Sequence, residues 1–245
     1  MNKILSPAVF YRQSTRVLPF LAAGLIIFLG YGLVGGLFFA PIDYQQKEAV
    51  RLMYIHVPCA VLSLSIYTII GVMSAIYLIW SVKIADIIAQ ASAPLGASLT
   101  ALALISGSLW GKPMWGTWWV WDARLTSELI LLFLYCGYIG LRSAITDARI
   151  AASAAAILAI VGLIDIPIIH YSVEWWQTLH QGASIFKFAK PSIAPAMLYP
   201  LVSMLLGFYF LYALILCLNA RAELLWRERN ASWVTKLILG SGVNG

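Results

Sequence analysis

The chain holds three histidines, His56, His170 and His180. It also crowds four tryptophans into one short stretch, Gly111-Lys-Pro-Met-Trp-Gly-Thr-Trp-Trp-Val-Trp-Asp122. A neutral imidazole is a nitrogen ligand for metals, haem iron included. Indole has an apolar face and one N–H donor, so it collects at membrane headgroups and against flat ligands. If residues 115–122 are helical, Trp115, Trp118, Trp119 and Asp122 fall at i, i+3, i+4 and i+7 and share one face, with the carboxylate ending the aromatic strip. An interfacial aromatic belt accounts for the same tryptophans equally well. Their spacing alone does not choose, so the histidines have to.

The elements that must position these side chains are membrane helices. Of 245 residues, 62% are hydrophobic and 11% charged, with a mean hydropathy of +0.87; soluble domains carry roughly 25% charged residues. No charge occurs in 17–42, 52–82, 87–111 or 191–220. Each run is long enough for a helix to cross about 30 Å of hydrocarbon. Two further segments are interrupted once each, 125–141 by Glu128 and 150–173 by Asp165. The expectation is an all-α integral membrane protein in a single six-helix unit, residues 1–245. Its spans lie near 17–40, 53–80, 93–110, 125–143, 151–170 and 197–219, with the tryptophan segment at 111–124. The apolar run after Arg16 is too long for a signal-peptide core, so the first helix is expected to stay. Pro58 is expected in the first turn of the second helix, where its missing N–H costs nothing.

With six spans both termini share a side. That side would hold ten basic residues, Lys3, Arg12, Arg16, Lys83, Arg142, Arg149, Arg221, Arg227, Arg229 and Lys236. The other would hold six, Lys47, Arg51, Lys112, Arg124, Lys187 and Lys190. The positive-inside rule then makes the termini cytoplasmic and turns the tryptophan segment outward. All three histidines map to that outer side. His56 starts the second span and His170 ends the fifth, at matching depth beside the tryptophans, and His180 stands in the third outer loop without a matching partner. A lone histidine is usually structural; a pair at one depth beside an aromatic wall suits axial ligation of haem iron. Arg51, Lys112 and Arg124 lie where haem propionates would, although simple snorkelling explains each alone. Asp122 and Arg124 could also pair with each other. Glu128 and Asp165 are costly in lipid and are expected to face the bundle interior or a partner.

Other chemistries are excluded or weak. Cys59, Cys136 and Cys217 lie in apolar spans without pairing spacing, and no C-x-x-C-H occurs to attach haem covalently. Gly107-Ser-Leu-Trp-Gly-Lys112-Pro113 has the wrong glycine spacing for a phosphate loop, with proline where the magnesium-binding hydroxyl belongs. The small-residue patterns Gly32-Leu-Val-Gly-Gly36 and Gly107-Ser-Leu-Trp-Gly111 suit helix packing. The net charge of +6 fits a basic tail at an anionic leaflet and needs no nucleic acid.

Trp115-Gly-Thr-Trp-Trp-Val-Trp-Asp122 resembles the signature of the WWD-domain family of membrane haem-handling proteins. Trp110-Gly-Lys-Pro-Met-Trp115, Asp122-Ala-Arg-Leu-Thr-Ser127, Tyr54-Ile-His-Val-Pro58 and Ile168-Ile-His-Tyr-Ser-Val-Glu-Trp-Trp-Gln-Thr-Leu-His-Gln181 extend the likeness. They point to the family's CcmC branch, over nearly the whole chain. The resemblance implies a non-enzymatic protein of the bacterial inner membrane with cytoplasmic termini. Such a protein binds haem b transiently, as cargo, at the periplasmic face and delivers it to the haem chaperone CcmE. It acts with the ABC transporter subunits CcmA and CcmB and the small membrane protein CcmD. By the same resemblance His56 and His170 are the axial iron ligands, and Trp115, Trp118, Trp119, Trp121, Asp122 and Arg124 contact the haem. Two other readings remain, a haem-translocating permease subunit and a b-type cytochrome for electron transfer; a third makes the tryptophans mere membrane anchors.

Overall fold

The computed structural model describes residues 6–180, 182 and 193–239. Their regular elements are helices, apart from one isolated antiparallel bridge between Asp43 and Lys47. Helix α1 (Pro7–Val34) runs into a π-helical turn at Gly35–Phe39, and a 3₁₀ turn at Glu48–Leu52 leads into α2 (Met53–Trp80). Then come α3 (Lys83–Trp115), α4 (Ala123–Ala144), α5 (Ala148–Gly162), α6 (Asp165–Trp175), α7 (Pro195–Arg227) and the short α8 (Ser232–Leu239). Six helical stretches are long and apolar enough to cross a membrane: 7–39, 48–80, 83–115, 123–144, 148–175 and 195–227. The protein is an all-α integral membrane protein.

Several helices outrun the charge-free windows that announce them. α3 starts at Lys83 rather than near 93 and ends at Trp115 rather than at 110. A charge-free window marks the hydrocarbon, and a helix continues into the polar layers on either side. Pro58 lies in the second turn of α2, inside the helix, not in its first turn as the sequence suggests. The 3₁₀ turn before it supplies the start instead.

The fifth span is two helices. Between α5 and α6 the bonds tighten to the i→i−3 type: Leu163 N to Ile160 O, Ile164 N to Val161 O and Ile166 N to Leu163 O. Pro167 is the cause, since its ring conflicts with the carbonyl four residues back, that of Leu163.

α2 and α3 form the centre, with α4, α5 and α7 around them, and α1 leans on α7. The core between α2, α3, α4 and α5 is built on tyrosines: Tyr67, Tyr135 and Tyr138 are buried with Leu62, Ile66 and Leu131. Tyr135 lies against Gly96, and Tyr67 places its hydroxyl against Gly162. Glycines also let α1 approach α7. A Cβ on Gly32 would stand 2.8 Å from the Met204 backbone nitrogen, and one on Gly207 would stand 2.9 Å from Leu29 Cα. Gly36 makes room for the Tyr54 ring instead. The three cysteines are free thiols.

α2 and α3 meet at a two-residue joint, where Ser81 adopts a left-handed conformation with φ of 53°. Near it, at the start of α3, Asp86 is buried and bonds Arg142 of α4 at 2.8 Å and Arg227 of α7 at 2.6 Å. Gln90 accepts from both arginines. One carboxylate thus ties three helices together at the end remote from the tryptophans.

Candidate functional site

His56 lies in the first turn of α2. Arg51 fixes that start, pairing with Glu48 at 2.5 Å and donating to the Gly36 carbonyl of the π turn at 3.0 Å. The half-buried imidazole faces one stripe of α3, formed by Ala103, Ser106, Gly107 and Trp110 at i, i+3, i+4 and i+7. Nδ1 is 3.0 Å from the Ala103 carbonyl oxygen and 3.2 Å from Ser106 Oγ. A Cβ at Gly107 would stand 2.9 Å from His56 Cε1, so the ring needs glycine there. Trp110 meets the imidazole edge-on at 5.7 Å and is itself held by Gln46, whose Oε1 accepts from the indole N–H at 2.9 Å.

The second ring beside His56 belongs to His180, 6.5 Å away between centroids. His170 is exposed and meets Tyr171 edge-on at 4.7 Å; Tyr171 stacks on Trp175 at 5.3 Å. The residue read from sequence as unmatched is therefore the one brought to His56. Spacing gives no sign of it, because the path of a returning loop leaves no periodicity to read. Lys187, Lys190 and most of the segment between α6 and α7 lie outside the described residues.

The tryptophan segment is not a helix. α3 stops at Trp115, where Gly116 turns left-handed at φ of 76° and donates its N–H to the Lys112 carbonyl at 3.0 Å. Lys112 Nζ closes the same turn by donating to the Gly116 carbonyl, also at 3.0 Å. Residues 117–122 are irregular, so the expected single face of Trp115, Trp118, Trp119 and Asp122 does not form. Trp115 folds back onto Gly111, where a Cβ would lie 2.8 Å from its ring. The second small-residue pattern thus accommodates two rings, those of His56 and Trp115. Trp118 and Trp121 are 54% and 76% exposed. Trp119 is half-buried and packs edge-on to Trp121 at 5.4 Å.

Asp122 is the N-cap of α4, its Oδ1 accepting from Leu125 N at 2.8 Å, which satisfies one of the helix's orphan donors. Its Oδ2 and the Trp119 Nε1–H are buried without a partner. Arg124 is directed elsewhere: its guanidinium donates to the Ile169 carbonyl at 2.5 Å, tying α4 to α6 just before His170. It does not pair with Asp122. Lys112 lies 5.7 Å over the Trp118 ring.

Deeper in the bundle Glu128 is buried and its Oε1 accepts from Ser63 Oγ at 2.7 Å; Tyr135 donates to the Ser63 carbonyl at 2.7 Å. Asp165, at the start of α6, is buried with Oδ2 unbonded, as is the Tyr67 hydroxyl. Both carboxyl groups face the interior.

Fold and site together define a class: an all-helical membrane protein with six apolar spans among the described residues, His56 packed on Trp110 of α3, and exposed tryptophans just past the end of that helix. Within that class the chain belongs to the CcmC family, "Heme exporter protein C", whose family model matches residues 1–235. It is 49% identical over 237 residues to the "Heme exporter protein C" of Haemophilus influenzae, covering 97% of this chain and 96% of the relative. It is 46% identical over 242 residues to that of Escherichia coli K12, covering 99% and 98%. The protein of the same name from Bradyrhizobium diazoefficiens is 46% identical over 225 residues, covering 92% and 85%.

Proposed function

We propose that this protein binds haem at the periplasmic face of the bacterial inner membrane and hands it to the haem chaperone CcmE during maturation of c-type cytochromes. It works beside the CcmA–CcmB transporter and CcmD, as a haem-handling subunit rather than an enzyme. The observation that carries this reading is His56, held at Nδ1 by α3, with a second imidazole 6.5 Å away and Trp110 edge-on to the first. The residues fit the cargo. Two imidazoles this close could each offer a nitrogen to one iron. Exposed Trp118 and Trp121 offer a flat apolar wall, and the unbonded Trp119 N–H suits a propionate oxygen.

His56 and His180 are the axial pair in this reading. His170, exposed and next in sequence to the Ile169 carbonyl that Arg124 holds, is the alternative second ligand and the one the family resemblance suggests. Trp118 and Trp121 are exposed, so a bound porphyrin would stay accessible to an incoming chaperone, and two imidazole ligands would leave its iron no open position for oxygen.

The test is the visible spectrum of the detergent-purified protein beside H56A, H170A and H180A, with and without the chaperone. A low-spin bis-imidazole spectrum, lost in H56A and H180A and transferred to the chaperone, is the expected result. Loss in H170A with retention in H180A reassigns the second ligand. Haem that binds and never leaves marks a b-type cytochrome. No haem in any sample reduces the tryptophans to a docking surface.

A further inference from the structure

We infer that one stripe of α3 fixes His56 as the Nδ1–H tautomer and so dedicates Nε2 to the iron, with Ser106 as the positioning residue and Gly107 as the seat. The inference rests on the haem-binding reading only for the identity of what Nε2 meets.

The argument is an accounting of protons. The Ala103 carbonyl, 3.0 Å from Nδ1, can only accept. Ser106 Oγ, 3.2 Å from Nδ1, can donate or accept, but its own proton is directed to the Leu102 carbonyl at 2.5 Å. Two acceptors therefore face Nδ1. A bare nitrogen lone pair there would oppose the carbonyl oxygen, so Nδ1 carries the proton. In a neutral imidazole the other nitrogen is then the acceptor, and Nε2 presents its lone pair. Ligating histidines characteristically donate their second N–H in this way, which fixes ring orientation and raises ligand basicity.

The fit of the ring along the rest of the stripe completes the case. Gly107 lies under Cε1, the carbon between the two nitrogens, and a methyl there would stand 2.9 Å away. Trp110 closes the ring edge at 5.7 Å. In this orientation Nδ1 reaches its two acceptors and the ring clears α3.

Two measurements test this on the full-length protein in detergent. In the first, ¹⁵N-histidine labelling of the haem-free protein gives three imidazoles to resolve, assigned by H56A, H170A and H180A. His56 is expected with Nδ1 protonated and Nε2 bare; the reverse tautomer overturns the inference whether or not haem ever binds. In the second, haemin is added to wild type, S106A and S106T. S106A is expected to retain haem about ten-fold more weakly, the low end of what loss of an outer-shell partner costs. Its midpoint potential is expected to move positive as the imidazole loses basicity, and S106T to restore both. S106A matching wild type in retention and potential removes Ser106 from the role. Failure of wild type to take up haemin strikes the function proposed above, and leaves the tautomer to stand or fall on the first measurement.

Discussion

The two ends of α3 are opposites in chemistry, although about 44 Å of one continuous helix joins them, at 1.5 Å per residue from Asp86 to Trp115. At the Asp86 end the charges meet: one buried carboxylate, two arginines and a glutamine close on one another across three helices. At the tryptophan end the chain leaves helical geometry, exposes Trp118 and Trp121, and keeps a buried indole N–H and a buried carboxylate oxygen unbonded. The first end is finished by its own side chains and serves as a clamp. The second keeps two large apolar rings on its surface instead of closing them into the bundle.

Variants separate the two roles, and the largest effect belongs to the clamp. D86A leaves Arg142 and Arg227 without their shared carboxylate and is expected to cost about 3–5 kcal/mol, the range for a broken buried pair. Thermal unfolding in detergent reads this, and the folded remainder should keep a wild-type haem spectrum. A smaller loss follows overpacking at mid-bundle: G162A drives a methyl into the Tyr67 hydroxyl and should cost about 1–3 kcal/mol in the same assay. D122A removes the α4 cap and should cost about 1 kcal/mol. D122N keeps the capping oxygen, so it should hold stability, and any loss of haem loading it shows reports on the charge at Oδ2. W121F should leave stability within about 0.5 kcal/mol, since the ring is exposed, yet reduce transfer of haem to the chaperone. A W121F protein as unstable as D86A would dissolve the contrast between the ends.

The spans were legible because charge is excluded from hydrocarbon, and the charge-free runs in this chain are long. His56 at the head of α2 was legible for the same reason, since depth follows from distance to a span boundary. What supports His56 was harder to see. Ala103, Ser106, Gly107 and Trp110 sit at helical spacing in plain view, but they read as ordinary packing until a ring from another helix lies on them. The tryptophan segment misled because its spacing is helical while Gly116 ends the helix inside it, a decision made by one left-handed backbone angle. The split at Leu163–Ile164 was missed in the single span expected at 151–170, although Pro167 stands four residues beyond the carbonyl it displaces. His180 carried no signal, because a loop is placed by tertiary contacts that no local pattern encodes.

The joint at Ser81 has a consequence for which changes this chain tolerates. His56 lies as far before Ser81 along α2 as Ser106 lies after it along α3. The two arms of the hairpin work like a pair of calipers, and the tips meet because the arms are of equal length. A single residue added to either arm would slide its tip by about 1.5 Å and swing it about 100° around the helix, taking the imidazole off its acceptors. Compensation would require a matching insertion in the other arm. Length changes should therefore accumulate outside the hairpin and stay out of 57–105, so the arms act as a ruler that substitutions can repaint but insertions cannot lengthen.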